Sequence, residues 1–145
     1  MVSDVENMSA PDFGRSLTGL GINILVASVE RELEFLTQVL SMEVLRADKD
    51  FAVVRYRHQV FMVHADHTYG NHPLSRVLSD GAIRGAGIEL RLYGLDPDSA
   101  SKRAEDLNYE IFAPVQDKPH GLRECYIPSP SGYMWVPSVG SFTFG

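Results

Sequence analysis

The positions of the apolar residues divide the first half of the chain into short elements. In residues 21–28, GINILVAS, β-branched side chains occupy every second position, which is typical of a half-buried strand. Ser28 can cap a helix, and the following segment, VERELEFLTQVLSM, carries apolar residues at helical spacing. Three short β-rich runs come next: EVLRAD, FAVVRYR and QVFMVHA. The pattern therefore predicts a strand, a helix and three strands.

The second half repeats this order. GIELRLYG, residues 87–94, alternates strictly, as a strand with one buried face does. Asp96 and Pro97 form a suitable N-cap and first-turn pair for a helix over DPDSASKRAEDLNY. EIFAPV, LRECYIPS and YMWVPS then supply three further strands. Residue identity between the halves is low, so the repeat is one of architecture.

This repetition predicts the domain organisation. We expect one α+β domain over residues 19–145, with two βαβββ modules, at 19–65 and 87–138, joined by a connector at 66–86. Residues 1–18 lack the basic start and the apolar stretch of a signal peptide. We expect them to be a polar, mobile tail.

Charge and composition exclude several classes of binding partner. A net charge of −6 argues against nucleic acid or an anionic membrane surface as the main partner. No apolar run approaches the length of a membrane span. Cys125 is the only cysteine, which excludes an intramolecular disulfide and favours a cytoplasmic location. Its alternating surroundings favour a buried structural thiol over a nucleophile.

The doubled βαβββ order resembles the vicinal-oxygen-chelate superfamily of glyoxalases, bleomycin-resistance proteins and extradiol dioxygenases. INILVASVERELEFLTQVLSMEV is similar to the family's opening strand and helix, with Ser28 in the usual Asp place and Leu36 in the usual Tyr place. GLRECYIPSPSGYMWV is similar to the closing hairpin, with the segment 129–132 standing for Asp-Pro-Asp-Gly. The resemblance is closest in type to bleomycin-resistance-like members. It implies curled mixed sheets around a concave cavity, helices on the convex side, and commonly a homodimer.

The alternation then assigns a face to each side chain. Ile88, Leu90 and Leu92 should pack beneath a helix, so the intervening residues should face the cavity. Applied to all strands, this gives a mixed apolar and polar lining, as small-molecule sites usually have. The predicted ligand-binding residues are Asn23, Met62, His64, Glu89, Arg91, Tyr93, Glu124, Tyr126 and Met134.

The charged members of this set allow two interpretations. Glu89, Arg91 and Glu124 could contact a ligand, or they could pair with one another and close the cavity floor. A glutamate in an otherwise apolar pocket would have a raised pKa and could serve as a base. No pattern of nucleophile, base and orienting group is present, so no catalytic residue is assigned.

The resemblance also allows a test for a metal. Metal-using members of the family place ligands on the first strand of each half and on the last strand, which here correspond to Gly21, Glu89 and Val136. One possible ligand cannot hold a divalent ion where three are normally needed, so we predict no family-type metal centre and no cofactor. A separate group of residues could instead bind a metal, although its spacing matches no specific motif: His64, Asp66, His67 and His72.

Three functions are compatible with these observations. The first is a metal-free protein that sequesters a small molecule between two subunits. The absence of metal-coordinating side chains at the family's ligand positions favours it. The second is a metal-dependent lyase, isomerase or dioxygenase of the same superfamily with a displaced metal site, which would need His64 or the connector histidines. The third is an interaction or regulatory domain with a vestigial cavity.

Overall fold

The strands form two separate four-stranded sheets with the same topology. The computed structural model of the chain describes residues 2–78 and 84–141. The strands are β1 (Asn23–Val26), β2 (Glu43–Ala47), β3 (Phe51–Tyr56), β4 (Gln59–Ala65), β5 (Leu90–Tyr93), β6 (Ala113–Asp117), β7 (Leu122–Pro128) and β8 (Met134–Gly140). Their order is β1-β4-β3-β2 in one sheet and β5-β8-β7-β6 in the other. The prediction of an α+β fold with two βαβββ modules is confirmed.

Within the described ranges, three α-helices accompany the sheets: α1 (Ala10–Ser16), α2 (Val29–Gln38) and α3 (Pro97–Asp106). The predicted caps start the two module helices, because Ser28 Oγ accepts a hydrogen bond from the Arg31 N–H at 3.2 Å and the Asp96 carboxylate accepts one from the Ser99 N–H at 3.1 Å. No helix in the described residues has the length and apolar character needed to cross a membrane.

One hydrophobic core is shared by both modules. It contains α2, α3 and one face of each sheet, and the rings of Phe61 and Trp135 meet within it at 5.5 Å between centroids. Phe35 from α2 is fully buried there and packs edge-on against Tyr109 at 5.1 Å. Because this core lies on the helix side of both sheets, the opposite face of each sheet, here called the concave face, points away from it.

The predicted alternation holds on the strands of the second sheet. Leu90 and Leu92 are 8% and 5% exposed and belong to the shared core, as do Cys125 and Ile127. The residues between them therefore lie on the concave face. Ile88 is different, with 52% exposure, because β5 begins only at Leu90 and Ile88 lies in the preceding turn.

The structure of residues 2–18 differs from the free tail that the sequence predicts. A short 3-10 helix, Val2–Asn7, and α1 pack onto the concave face of the first sheet. Val5 and Phe13 are 3% and 7% exposed and form a second, smaller core with Leu45 and Val53. We call residues 5–16 the N-terminal segment. Of the predicted domain, residues 79–83 of the connector and residues 142–145, which follow the second module, lie outside the described residues.

Replacing Phe13 by alanine should detach the N-terminal segment. Burial of one large apolar side chain contributes about 1.5–3 kcal/mol, so the free energy of unfolding should fall by about that amount. Urea denaturation measures it, and hydrogen exchange should accelerate within the segment. Leu17→Ala is the control, since Leu17 is 40% exposed. An equal loss in both variants would show that Phe13 does not anchor the segment.

Candidate functional site

A network of polar side chains centred on Arg91 occupies the concave face of the second sheet. The guanidinium donates to Glu89 Oε1 at 2.5 Å, to Glu124 Oε1 at 2.9 Å and to Ser138 Oγ at 3.2 Å. His120 Nε2 lies 2.9 Å from the same oxygen of Glu124. Glu124 is 2% exposed and Ser138 is fully buried, so β7 and β8 hold the floor of the network out of water.

The two central charges stabilise each other. Burial alone would raise the pKa of Glu124, but hydrogen bonds from Arg91 and His120 outweigh it and lower that pKa below its ordinary value. Burial would likewise lower the pKa of Arg91, but the carboxylates of Glu124 and Glu89 raise it. Glu124 is therefore ionised at neutral pH. It is not the raised-pKa base that an apolar pocket would produce.

A cleft of about 450 Å³ opens beside this network, between β5 and the first module. We call it the inter-module cleft. Its walls are mainly aromatic and aliphatic, and its charged groups are Arg57, Glu89 and Arg91. A largely apolar concavity of this size with a few polar groups is typical of small-molecule sites. The other lining residues are Leu20, Ile22, Met42, Tyr56, Gln59, Val60, Phe61, Leu90, Leu92, Tyr93 and Trp135.

A second cavity, of about 470 Å³, lies beneath the N-terminal segment. Val5 and Phe13 form one wall, and Val60 and Met62 from β4 form another. Leu20, Gln59 and Val60 line both cavities, so the two adjoin along the start of β4. The sequence predicts that Met62 faces a cavity but does not predict the cover of this one, because it indicates a mobile tail over residues 1–18.

The structure brings five of the nine predicted site residues together in the second module. Glu89, Arg91 and Glu124 are bonded directly, and the Arg91 guanidinium lies 5.8 Å from the centre of the Tyr93 ring. Tyr126 neighbours them, and burial raises the pKa of its phenol. These contacts support the internal-pairing interpretation for the charged residues, while leaving Glu89, Arg91 and Tyr93 at the wall of the inter-module cleft.

The other four predicted residues do not join this network. Asn23 and Met62 face each other on the paired strands β1 and β4, and Met62 lines the second cavity. His64 packs between the rings of Phe51 and Tyr69, at 5.0 and 5.4 Å between centroids, and burial lowers its pKa. Met134 begins β8 opposite Pro128.

The histidine-rich tract has structural partners. Arg84 forms a two-point ion pair with Asp66, at 2.6 and 2.8 Å, and His67 Nε2 lies 2.7 Å from Asp50 Oδ1. His72 Nδ1 accepts a backbone hydrogen bond at 3.0 Å from the helical turn that follows. In the described part of the chain, no three His, Cys, Asp or Glu side chains form a group that could hold a metal ion.

The positions that carry the metal in the resembling family do not suit one here. Gly21 has no side chain, and Glu89 is engaged by Arg91. Val136 is fully buried and apolar. One carboxylate cannot replace the three protein ligands that a divalent ion normally needs. We therefore derive no chemistry through a metal at these positions.

Cys125 does not provide a nucleophile. Its thiol is fully buried, and Sγ lies 3.6 Å from the carbonyl oxygen of Pro97. Burial raises the pKa of the thiol to about 12, so the reactive thiolate is scarce at neutral pH. The interpretation of Cys125 as a structural thiol is confirmed.

Glu32 is a buried carboxyl group that the sequence interpretation missed. It is fully buried on α2, where Oε2 accepts a hydrogen bond from the Ser131 N–H at 3.2 Å and Oε1 has no partner among the described residues. Burial raises its pKa, and hydrogen bonds from Ser129 and Ser131 offset this only in part. A signal was present, since Glu32 falls at helical spacing between Val29 and Leu36, both buried.

Stability should therefore depend on pH through Glu32. A carboxyl group whose pKa is raised on folding contributes stability below its unfolded pKa, and that contribution is lost as pH rises through the folded value. Glu32→Gln removes this loss, so the variant should gain stability relative to the wild type as pH rises above about 4.5. Urea denaturation across the pH series measures the difference. The exposed Glu30→Gln should show no such trend, and a constant gap for Glu32→Gln would contradict the prediction.

Comparisons with known proteins give the fold. No protein-family model matches the chain, and no curated protein matches it in sequence. Its structure is similar to that of a glyoxalase/bleomycin resistance protein/dioxygenase from Nocardioides, with 17% identity, a TM-score of 0.65 and coverage of 97% of this chain and 95% of that one. A glyoxalase-related enzyme from Fulvimarina pelagi has 15% identity, a TM-score of 0.67 and coverage of 89% and 99%. The fosfomycin resistance protein FosX from Listeria monocytogenes has 13% identity, a TM-score of 0.64 and coverage of 87% and 96%.

Proposed function

We propose, from the fold that this chain shares with the glyoxalase and bleomycin-resistance proteins, that it binds a small molecule without the family metal centre. The observation that carries the proposal is the inter-module cleft, an apolar and aromatic concavity of about 450 Å³ with charged groups at one wall. Arg91 is fixed there by two carboxylates, so ordering its side chain costs little when a ligand binds.

Binding is favoured over catalysis by the chemistry of the site. Glu124 has a lowered pKa, and its Oε1 is bonded to both Arg91 and His120, which makes it a weak base. The thiol of Cys125 is buried away from the cleft. The aromatic walls and the ordered guanidinium can instead enclose and orient a ligand.

A screen for thermal stabilisation tests the proposal. A ligand that binds only the native state must raise the apparent stability as its concentration rises. Aromatic, cationic and thiol-conjugate compounds cover the ligand chemistries of interest, and at least one class should raise the melting temperature in a saturable manner. A vestigial cavity would give no saturable shift with any class.

Metal analysis separates binding from the enzymatic alternative, a metal-dependent lyase, isomerase or dioxygenase with a displaced metal site. Protein purified without chelator should carry well under one equivalent of nickel, zinc, iron or manganese, because Gly21 and Val136 offer no ligand. Elemental analysis by mass spectrometry measures this. Stoichiometric metal that disappears in His64→Ala would contradict the proposal and support the enzyme.

We further propose a homodimer in the cytoplasm. Large apolar side chains just before β1, just before β5 and at the end of β5 are exposed, and pairing two copies about a two-fold axis would cover them. They are Leu20 at 93%, Ile22 at 37%, Ile88 at 52% and Tyr93 at 58%. Sedimentation at micromolar concentration should show a dimer, and a monomer would exclude a site shared between chains.

A further inference from the structure

Arg57 reaches the rim of the inter-module cleft through an unusual turn. Arg57 and His58 connect β3 to β4, and Tyr56 pairs with Gln59 across the turn. The φ angle of Arg57 is 55°, in the left-handed region that favours glycine. A long charged residue in this conformation costs free energy that the rest of the fold must offset, and such residues cluster at functional sites.

Both modules hold the guanidinium in place. Its Nη2 donates to the carbonyl oxygen of Gly94 at 3.1 Å, and its Nε donates to the Tyr56 hydroxyl at 3.4 Å. The Tyr56 hydroxyl in turn donates to the carbonyl oxygen of Tyr93 at 2.9 Å. Gly94 has a φ of 88°, and a Cβ there would lie 2.2 Å from Arg57 Nη2. Gly94 therefore leaves space for this guanidinium, and a side chain on any other residue at position 94 would fill that space.

The charge of Arg57 is not neutralised by its described surroundings. Its hydrogen bonds go to a carbonyl and a hydroxyl, and it forms no ion pair with a carboxylate of residues 2–78 or 84–141. Arg91, in the same cleft, pairs with both Glu89 and Glu124. An arginine has five N–H donors, so several on Arg57 remain available.

The lining of the cleft consequently favours an anion. Arg91 is already paired with Glu89 and Glu124, so the positive charge that no carboxylate of the described residues balances in this lining is that of Arg57. Aromatic rings surround this charge, namely Tyr56, Phe61, Tyr93 and Trp135. Planar rings offer stacking surfaces, and a guanidinium matches the two oxygens of a carboxylate.

We propose that the inter-module cleft takes an aromatic carboxylate, with Arg57 binding the carboxylate group and the aromatic walls holding the ring. This inference rests on the proposed function and names its ligand class. Arg57 thereby acts as the residue that selects anions, whereas Arg91 is committed to Glu89 and Glu124.

Two isosteric probes test it, 2-naphthoate and the neutral 2-naphthamide, with affinities measured by titration calorimetry. The wild type should bind naphthoate about tenfold or more tightly than naphthamide, since only the acid forms a charge-assisted pair. Arg57→Gly should remove this preference and leave naphthamide binding unchanged. Glycine suits the φ of 55°, so this variant retains the turn while losing the guanidinium.

Two further variants sharpen the test. Arg57→Lys keeps the charge and should retain part of the preference. Arg55→Gln is the matched control, because Arg55 lies on β3 two residues before Arg57, pairs with Glu43 and does not line the cleft. Equal affinities for the two probes, a preference that survives Arg57→Gly, or no binding of either probe would each overturn the inference. Saturable stabilisation by a neutral or cationic screening compound would still uphold the proposed function.

Discussion

Replacing Arg91 by methionine should lower the free energy of unfolding by about 3–5 kcal/mol, the usual cost of leaving a buried charge without its partner. Glu124 is the residue left behind. It is 2% exposed and its ionised form depends first on Arg91 and then on His120. Methionine replaces the aliphatic stem of arginine, so most of the effect should come from the charge. Urea denaturation measures it.

Two further variants identify the charge as the cause. Arg91→Met combined with Glu124→Leu removes both charges of the pair and should recover much of the lost stability. Glu89→Gln should cost at most about 1 kcal/mol, because the Glu89 side chain is 47% exposed and exposed ion pairs contribute little. If Arg91→Met were no more costly than Glu89→Gln, the network would be a surface feature without a role in the fold.

Trp135→Ala should cost about 3–5 kcal/mol, as truncations of large buried aromatic residues do. Trp135 is 4% exposed and packs against Phe61, so its ring links the two modules within their shared core. Trp135→Phe should cost clearly less than Trp135→Ala, because it keeps an aromatic ring in the core and leaves a smaller cavity. The indole N–H has no hydrogen-bond partner among the described residues, so no such bond is lost.

Unfolding of these variants is best followed by circular dichroism, since both substitutions remove the only tryptophan. Phe112→Ala serves as the control, because Phe112 is 65% exposed and its truncation should change stability by about 0.5 kcal/mol or less. If Trp135→Ala were as well tolerated as Trp135→Phe, the contact between the modules would not depend on this ring.

The alternation of apolar residues was sufficient to predict the sheets and the orientation of most strands. Leu90, Leu92, Cys125 and Ile127 lie in the core because their neighbours in sequence are polar and each strand has only one buried face. The same rule failed for Ile88, because the rule gives no sign of where a strand begins. The alternation of apolar and polar residues therefore predicts which face of the sheet a side chain occupies. Where the strand begins depends instead on the turn before it.

Other parts of the site depend on contacts between distant segments. The N-terminal segment has few apolar residues, and their burial requires the concave face of the first sheet. The position of the Arg57 guanidinium depends on a hydrogen bond to Gly94, which lies in the other module. The histidine tract is used in structural contacts because Arg84 and Asp50 are brought beside it by folding. Contacts between residues that are distant in sequence leave no local pattern from which they could be predicted.

The most direct test of small-molecule binding in the inter-module cleft uses Trp135 as a reporter. It is the only tryptophan and lines the cleft, so its indole N–H gives one resonance in a nitrogen-15 correlation spectrum. We expect titration with the most stabilising screening compound to move this resonance in a saturable manner, with the same affinity as the thermal stabilisation. A compound that stabilises the protein while the Trp135 resonance stays in place would show that the ligand binds elsewhere, and would contradict the assignment of the cleft.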